Sequence, residues 1–164
     1  MCIRDRHRIE HHGEALLPPD LGILKPELVT ATTVIEDGDL RILAYQASHP
    51  PIDPALGFRV EYRGRSVVIS GDSNVADATL SISSGADLLL HDALSVPAVT
   101  SMSEGFAAEG RARISKIMAD VLDYHASLES IIEIGSAIDI GMVVYYHLVP
   151  NPSNALFMLS LIHI

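Results

Sequence analysis

The 164-residue chain has one cysteine, Cys2, and only 11 lysines and arginines against 21 aspartates and glutamates. Without a second cysteine there is no disulfide framework and no thiolate zinc site. Residues 1–6 read as the translation of a transposon-end adaptor used in sequencing libraries, and residues 159–164 as the opposite strand of that adaptor. Both are set aside from fold reasoning. Residues 7–158 are then expected to be an internal fragment of a longer protein, free of cysteine, and His163 is not counted as a ligand. That segment holds 9 basic and 20 acidic residues, a net charge of −11. Such a balance argues against non-specific nucleic-acid binding, because an acidic chain repels the phosphate backbone. No apolar run approaches the roughly 20 residues that a membrane helix needs, and there are no internal repeats.

Apolar residues, by contrast, are plentiful. A hydrophobic fraction of 48% and a mean hydropathy of +0.29 are high for a free-standing domain of this length. They fit one compact domain whose apolar surface meets a partner half.

The chain opens with a Pro- and Gly-rich stretch over 7–28 that reads as loop. A β-branched run at 29–35 predicts a strand, Asp37-Gly38 a hairpin turn, and 40–48 the returning strand. Pro50, Pro51 and Pro54 break the pattern, and strands resume at 57–62 and 66–70 around the Arg63-Gly64 turn. A short helix is expected over 74–83, stopped at Gly85, then a strand at 87–91. Ile114, Ile117, Met118, Val121 and Leu122 have helical spacing and predict one buried stripe. A helix follows over 128–138 with Ser127 as its N-cap, then a strand at 142–146. The fold class is α/β (α+β), a mixed sheet covered by helices.

Several strands end on metal-competent side chains. Ser66-Val67-Val68-Ile69-Ser70-Gly71-Asp72 is a buried run that stops on a glycine and a carboxylate. Ala47-Ser48-His49, Leu88-Leu89-Leu90-His91-Asp92 and Val143-Val144-Tyr145-Tyr146-His147 end in the same manner. Strand ends that deliver His and Asp together are how an open α/β scaffold builds a site. Imidazole and carboxylate suit borderline divalent metals, and a carboxylate can bridge two ions. Each residue also has a plainer reading. Asp72 fits an N-cap for the 74–83 helix, His49 a surface turn, and His147 a satisfied core position. His91 and Asp92 fit either a pair that orients ligands or a buried structural pair. His125, between the two late helices, fits a general acid or a loop histidine. His11 and His12 are adjacent, diverge in direction and read as loop.

Taken in order, these residues resemble the C-terminal half of the metallo-β-lactamase superfamily, the αββα-sandwich hydrolases. The segments are His49-Pro50, Gly57-Phe58-Arg59-Val60 through Ser70-Gly71-Asp72-Ser73, Ala86-Asp87-Leu88-Leu89-Leu90-His91-Asp92-Ala93, His125-Ala126-Ser127 and His147-Leu148-Val149-Pro150. Within the superfamily they are most similar to the ribonuclease Z and arylsulfatase-like branch. The resemblance implies a partial sandwich over most of 29–158 and a dinuclear zinc hydrolase. By it, His49 is a ligand of one Zn²⁺, Asp72 bridges both ions, His147 binds the other, and His125 assists leaving-group departure. His91 and Asp92 match a His-Glu pair, with the shorter Asp in place of Glu.

The superfamily's His-x-His-x-Asp-His signature does not occur in these 164 residues. Three ligands cannot close two sites, so this chain alone is expected to hold metal weakly and to be inactive. A small ester or phosphodiester is favoured over RNA as substrate on charge. A bare sheet face would bring self-association, so a homo-oligomer is also an expectation. Two other readings stand beside this one. One is a sandwich whose metal site has decayed into an interaction module. The other is a doubly wound domain with Asp72 holding phosphate or Mg²⁺, which would need parallel strands throughout.

Overall fold

Alternating apolar residues and tight turns build the first half of the sheet. The computed structural model describes residues 11–16 and 27–151; the adaptor-like ends at 1–6 and 159–164, and part of the 7–28 loop, lie outside them. Strand β1 (Val34–Asp37) pairs antiparallel with β2 (Leu40–His49) across Gly38-Asp39, with Gly38 at φ +58°. The strand predicted at 29–35 thus starts late. Thr30 and Thr33 instead close a turn on themselves, Thr30 N donating to Thr33 Oγ1 at 2.8 Å and Thr33 N to Thr30 O at 2.9 Å. Local hydroxyl bonding of this kind competes with a ladder.

Strand β3 (Ile52–Tyr62) begins earlier than the prolines suggested. Its other neighbour, β4 (Arg65–Ile69), pairs only with Phe58 to Tyr62, so Pro54 borders β2 alone, where that ladder is irregular at Ala47/His49. A proline is tolerated at such a place. Gly57 sits opposite Tyr45, whose ring fills the space that a Cβ would occupy. Arg63 (φ +48°) and Gly64 (φ +77°) make the left-handed turn into β4.

From β4 onward the sheet is parallel. Helix α1 (Asp77–Ser83) leads to β5 (Leu88–Leu94); α2 (Val96–Ala108), α3 (Ala112–Val121) and α4 (Leu128–Ala137) lead to β6 (Val143–Val149). The sheet order is β1-β2-β3-β4-β5-β6, which excludes the all-parallel doubly wound alternative. Helix α1 begins three residues later than predicted because Asn74 forms a bridge with Ser48. Helix α2 was not anticipated: three serine and threonine residues and Gly105 dilute its apolar stripe, and only Val99 is buried. Pro97 in its first turn and Gly110 (φ +73°) just past its end are the start and stop signals it does carry. Ser127 caps α4 as expected, its Oγ accepting from Ser130 N at 3.0 Å.

Helices α1 and α4 cover one face of the sheet. Tyr45, Val68, Leu89 and Ile134 form one core with Leu80, Ile82 and Val143, and Ala93, Ala126, Leu128 and Ile131 form a second. Side chains of the opposite pleat parity, among them Phe58, Val60, Val67, Ile69, Leu90 and Val144, belong to neither core. On α3 the predicted stripe turns inward except at Ile117, which is exposed. Among the described residues no helix is long and apolar enough to cross a membrane.

One-sided burial has a measurable consequence. Leu89 is fully buried, whereas the adjacent Leu90 is only partly so. Leu89→Ala should lower stability in urea unfolding by about 2–5 kcal/mol, and Leu90→Ala by less than half as much. Equal losses would contradict the assignment of the two faces.

Candidate functional site

The site starts at the C-terminal end of β4. Ser70 is buried, its N donating to Leu90 O at 3.0 Å and its Oγ to Gly71 O at 2.6 Å. Gly71 follows at φ +69°, and a Cβ there would stand 2.6 Å from Leu56 O. Only glycine fits both demands, and the turn it makes carries the Asp72 carboxylate to the rim. Asp72 does not cap α1: the N-cap is Ala76, without a side-chain bond.

The next two residues brace the neighbouring strand ends. Ser73 Oγ accepts from Ser48 N at 3.0 Å, and Ser73 N donates to Asp92 Oδ1 at 3.2 Å. Asn74 N donates to Ser48 O at 2.7 Å, while its side-chain Nδ2 donates to Asp123 O. One short segment therefore ties the ends of β2 and β5 to the loop between α3 and α4. His49 lies just beyond Ser48, and His125 just beyond Asp123. Sequence reasoning assigned no role to Ser73 or Asn74. Their one signal was position, directly after Asp72.

These braces gather the histidines. The His49 ring lies 5.4 Å from that of His125, edge to face, and His125 stacks on His147 at 5.3 Å with 21° between planes. Asp72 Oδ1 is 3.9 Å from His147 Nδ1, both side chains half exposed. His147 has φ +45° and sits at an irregularity of the β5–β6 ladder, where Asp92 pairs Tyr146 and Ala93 pairs Leu148. An extra residue of this kind re-aims its side chain, and a left-handed non-glycine costs about 1–3 kcal/mol. The strand runs on to Val149 rather than stopping at His147.

Behind the rim lies a buried polar network. His125 Nδ1 donates to Asp92 Oδ2 at 2.6 Å, and His91 Nδ1 lies 3.0 Å from Asp92 Oδ1 and 2.9 Å from Asp92 O. His91 and Asp92 are wholly buried and His125 nearly so. His91 and Asp92 are thus both a buried pair and a support for His125. With Nδ1–H committed to the carboxylate, Nε2 is the His125 atom left to exchange protons. Burial pushes the Asp92 carboxyl up, but the bonds and charges of His125 and His91 outweigh it and hold the group below the usual aspartate value. Burial also raises the Tyr146 phenol, on the strand beside Asp92.

In donor chemistry His49, Asp72 and His147 suit zinc. In placement they fall short. Among the described residues no group of three or more His, Cys, Asp or Glu side chains is placed to hold an ion, and a structural or catalytic zinc needs at least three protein ligands.

No protein-family model matches the chain. Ribonuclease Z of Mycobacterium tuberculosis is 28% identical over 144 residues, which make up 88% of this chain and 48% of that protein. Ribonuclease Z of Mycolicibacterium gilvum is 27% identical over 145 residues, 88% of this chain and 46% of that protein. The chain spans about half the length of the curated relatives it matches. Among solved structures it is similar to the metallo-β-lactamase fold protein YhfI of Bacillus subtilis, with a TM-score of 0.55 and 17% identity over 81% of this chain and 46% of that one. It is also similar to zinc-bound PqqB of Methylobacterium extorquens, with a TM-score of 0.55 and 16% identity over 93% of this chain and 53% of that one. The chain carries part of the metallo-β-lactamase fold.

The Asp92 network sets an acid limit on stability. A carboxyl held below its unfolded value of about 3.9 contributes stability that is complete above that value and is lost as the pH falls through the folded one. Wild type should lose stability below about pH 4. Asp92→Asn should be less stable at pH 7 by about 1–3 kcal/mol and show a shallower acid dependence, read from urea unfolding at pH 7 and pH 3. An unchanged acid profile would show that Asp92 is not held as an anion.

Proposed function

We propose that this chain is part of a metal-dependent hydrolase that cleaves a phosphodiester or ester bond. The observation that supports it most is the His125–Asp92 pair, locked at 2.6 Å directly behind a rim of two further histidines and a carboxylate. The adaptor-like ends and the 7–158 boundaries belong to the same reading, in which this is the C-terminal part of one sandwich domain.

Zinc is the proposed metal, with His49 for one ion, His147 for the other and Asp72 between them. When bound, it supplies water activation and charge neutralisation. The chain's own residues do the rest. Asp92 fixes the tautomer and direction of His125, and His125 Nε2 hands a proton to the departing oxygen, a role worth about 10²–10⁴-fold in rate. His91 and Ser73 N hold Asp92 in place from its other oxygen.

The remaining ligands belong to a His-x-His-x-Asp-His segment that these 164 residues do not contain. The chain alone is therefore proposed to bind zinc weakly and to lack turnover. The relatives' name, ribonuclease Z, points to a phosphodiester. The net charge of −10 favours a small one over RNA. A second reading, an interaction module with a decayed site, draws support from the lack of a three-donor cluster among the described residues.

A fusion separates these readings: the part of Mycobacterium tuberculosis ribonuclease Z that precedes the matched region, joined to this chain. The fusion should hydrolyse bis(4-nitrophenyl) phosphate in a zinc-dependent manner, and the chain alone should not. His147→Ala should remove bound zinc, whereas His125→Ala should keep it and lose about 10²–10⁴-fold in kcat. A folded, zinc-loaded fusion without turnover would favour the interaction module. Tight zinc binding with turnover by the chain alone would refute the fragment reading.

A further inference from the structure

Two of the rim histidines, His49 at the end of β2 and His125 in the loop before α4, adjoin residues that build a cavity. His49 is followed by Pro50 and Pro51, and His125 is preceded by Asp123 and Tyr124. With Ile117 and Asp120 of α3, these four residues line a space of about 520 Å³. That is the size of a small-molecule site, roughly 300–1,000 Å³.

Its walls have a definite chemistry. The two prolines have fixed φ and almost no side-chain freedom to lose. Tyr124 offers a flat ring, 4.8 Å from the ring of His49 and 5.0 Å from that of His125. Ile117 is 45% exposed although its helix turns the rest of the apolar stripe inward. The cavity gives this side chain a surface to serve. Both charged residues of the lining are carboxylates. Lys116 engages both oxygens of Asp120 at 2.8 Å and also attracts Asp123, so one cation faces two carboxylates and the lining stays net negative. No cationic side chain lines the space, so a phosphate or sulfonate has nothing to hold it and meets repulsion.

We propose that this cavity is the leaving-group subsite and takes an aromatic ring that carries no negative charge. Binding of the ring is independent of metal; its naming as leaving group rests on the hydrolase reading above. Tyr124 links the cavity to the proposed proton donor, since it lines the space and its ring is 5.0 Å from that of His125. In the reaction the phosphorus–oxygen bond to the aryl group breaks and its electron pair stays on the aryl oxygen, which takes the His125 proton. Water places its oxygen on phosphorus, and the proton it releases replenishes His125.

The full chain without added metal is titrated with 2-naphthol, naphthalene-2-sulfonate and cyclohexanol, following the Ile117 methyl and Tyr124 ring signals by NMR. Saturating shifts at both residues with 2-naphthol, at least tenfold weaker binding of the other two probes, and at least tenfold loss in Ile117→Asp are expected. The exposed position of Ile117 makes that variant safe for folding. Shifts confined to other residues, equal binding of the sulfonate, or an unaffected Ile117→Asp overturn the site. In the zinc-loaded fusion, Ile117→Asp should raise KM for bis(4-nitrophenyl) phosphate about tenfold and leave the inhibition constant of dimethyl phosphate, which has no aryl group, unchanged. A binding site that moves KM for no aryl ester overturns the leaving-group role alone. A fusion with no turnover but with intact naphthol binding overturns the hydrolase reading and keeps the aromatic site.

Discussion

The Asp92 carboxylate is the group on which the rest of the arrangement depends. It is wholly buried and accepts from His125, His91 and the Ser73 backbone. A buried charge is tolerable only when paired and hydrogen-bonded. Here the pairing also performs positioning: each donor comes from a different part of the chain. Ser73 follows β4, His91 belongs to β5 and His125 to the loop before α4. Satisfying one carboxylate therefore brings three segments into register. The rim inherits its shape from that.

Around this anchor, local backbone features aim the rim residues. Gly71 turns Asp72 outward because its backbone approaches Leu56 O too closely for any side chain. The ladder irregularity at Ala47/His49 turns His49, and the one at Asp92/Ala93 turns His147. Left-handed backbone at His147 has no fold-level purpose in an otherwise regular strand. Its effect is to bring an imidazole to Asp72 and against His125. The helices are arranged to match. They cover one pleat face, while the other carries Phe58, Val67, Leu90 and Val144 outside both cores. A half-covered parallel pair is unusual, since such strands are normally buried on both faces. It agrees with a chain that spans about half of its relatives.

Much of this was legible from residue order, and for physical reasons. Apolar runs leading to Asp72, His91-Asp92 and His147 located three neighbouring strands, but only β4 stops at its site residue; β5 runs on to Leu94 and β6 to Val149, because His91 and Asp92 are paired within the core and His147 sits at a ladder irregularity. Ser127 and Gly85 declared a helix start and a helix end by their own chemistry. What stayed hidden depends on partners distant in sequence. Asn74 reads as a helix residue until Ser48 is beside it. Pro54 reads as a breaker until the shortness of β4 is known. Helix α2 has too little apolar contrast to be seen without its neighbour α3. Ile117 reads as core, and only the nearness of Pro50 and Pro51, distant in sequence, shows it lining a cavity.

The central claim is that His125 presents Nε2 to the rim because Asp92 holds its Nδ1 proton. Long-range proton–nitrogen correlation NMR on the full chain near pH 7.5 reads the tautomer of each histidine directly. The account calls for His125 in the Nδ1–H form, with a proton protected from exchange that disappears in Asp92→Ala. An Nε2–H tautomer, or an Nδ1 proton indifferent to Asp92, would contradict it.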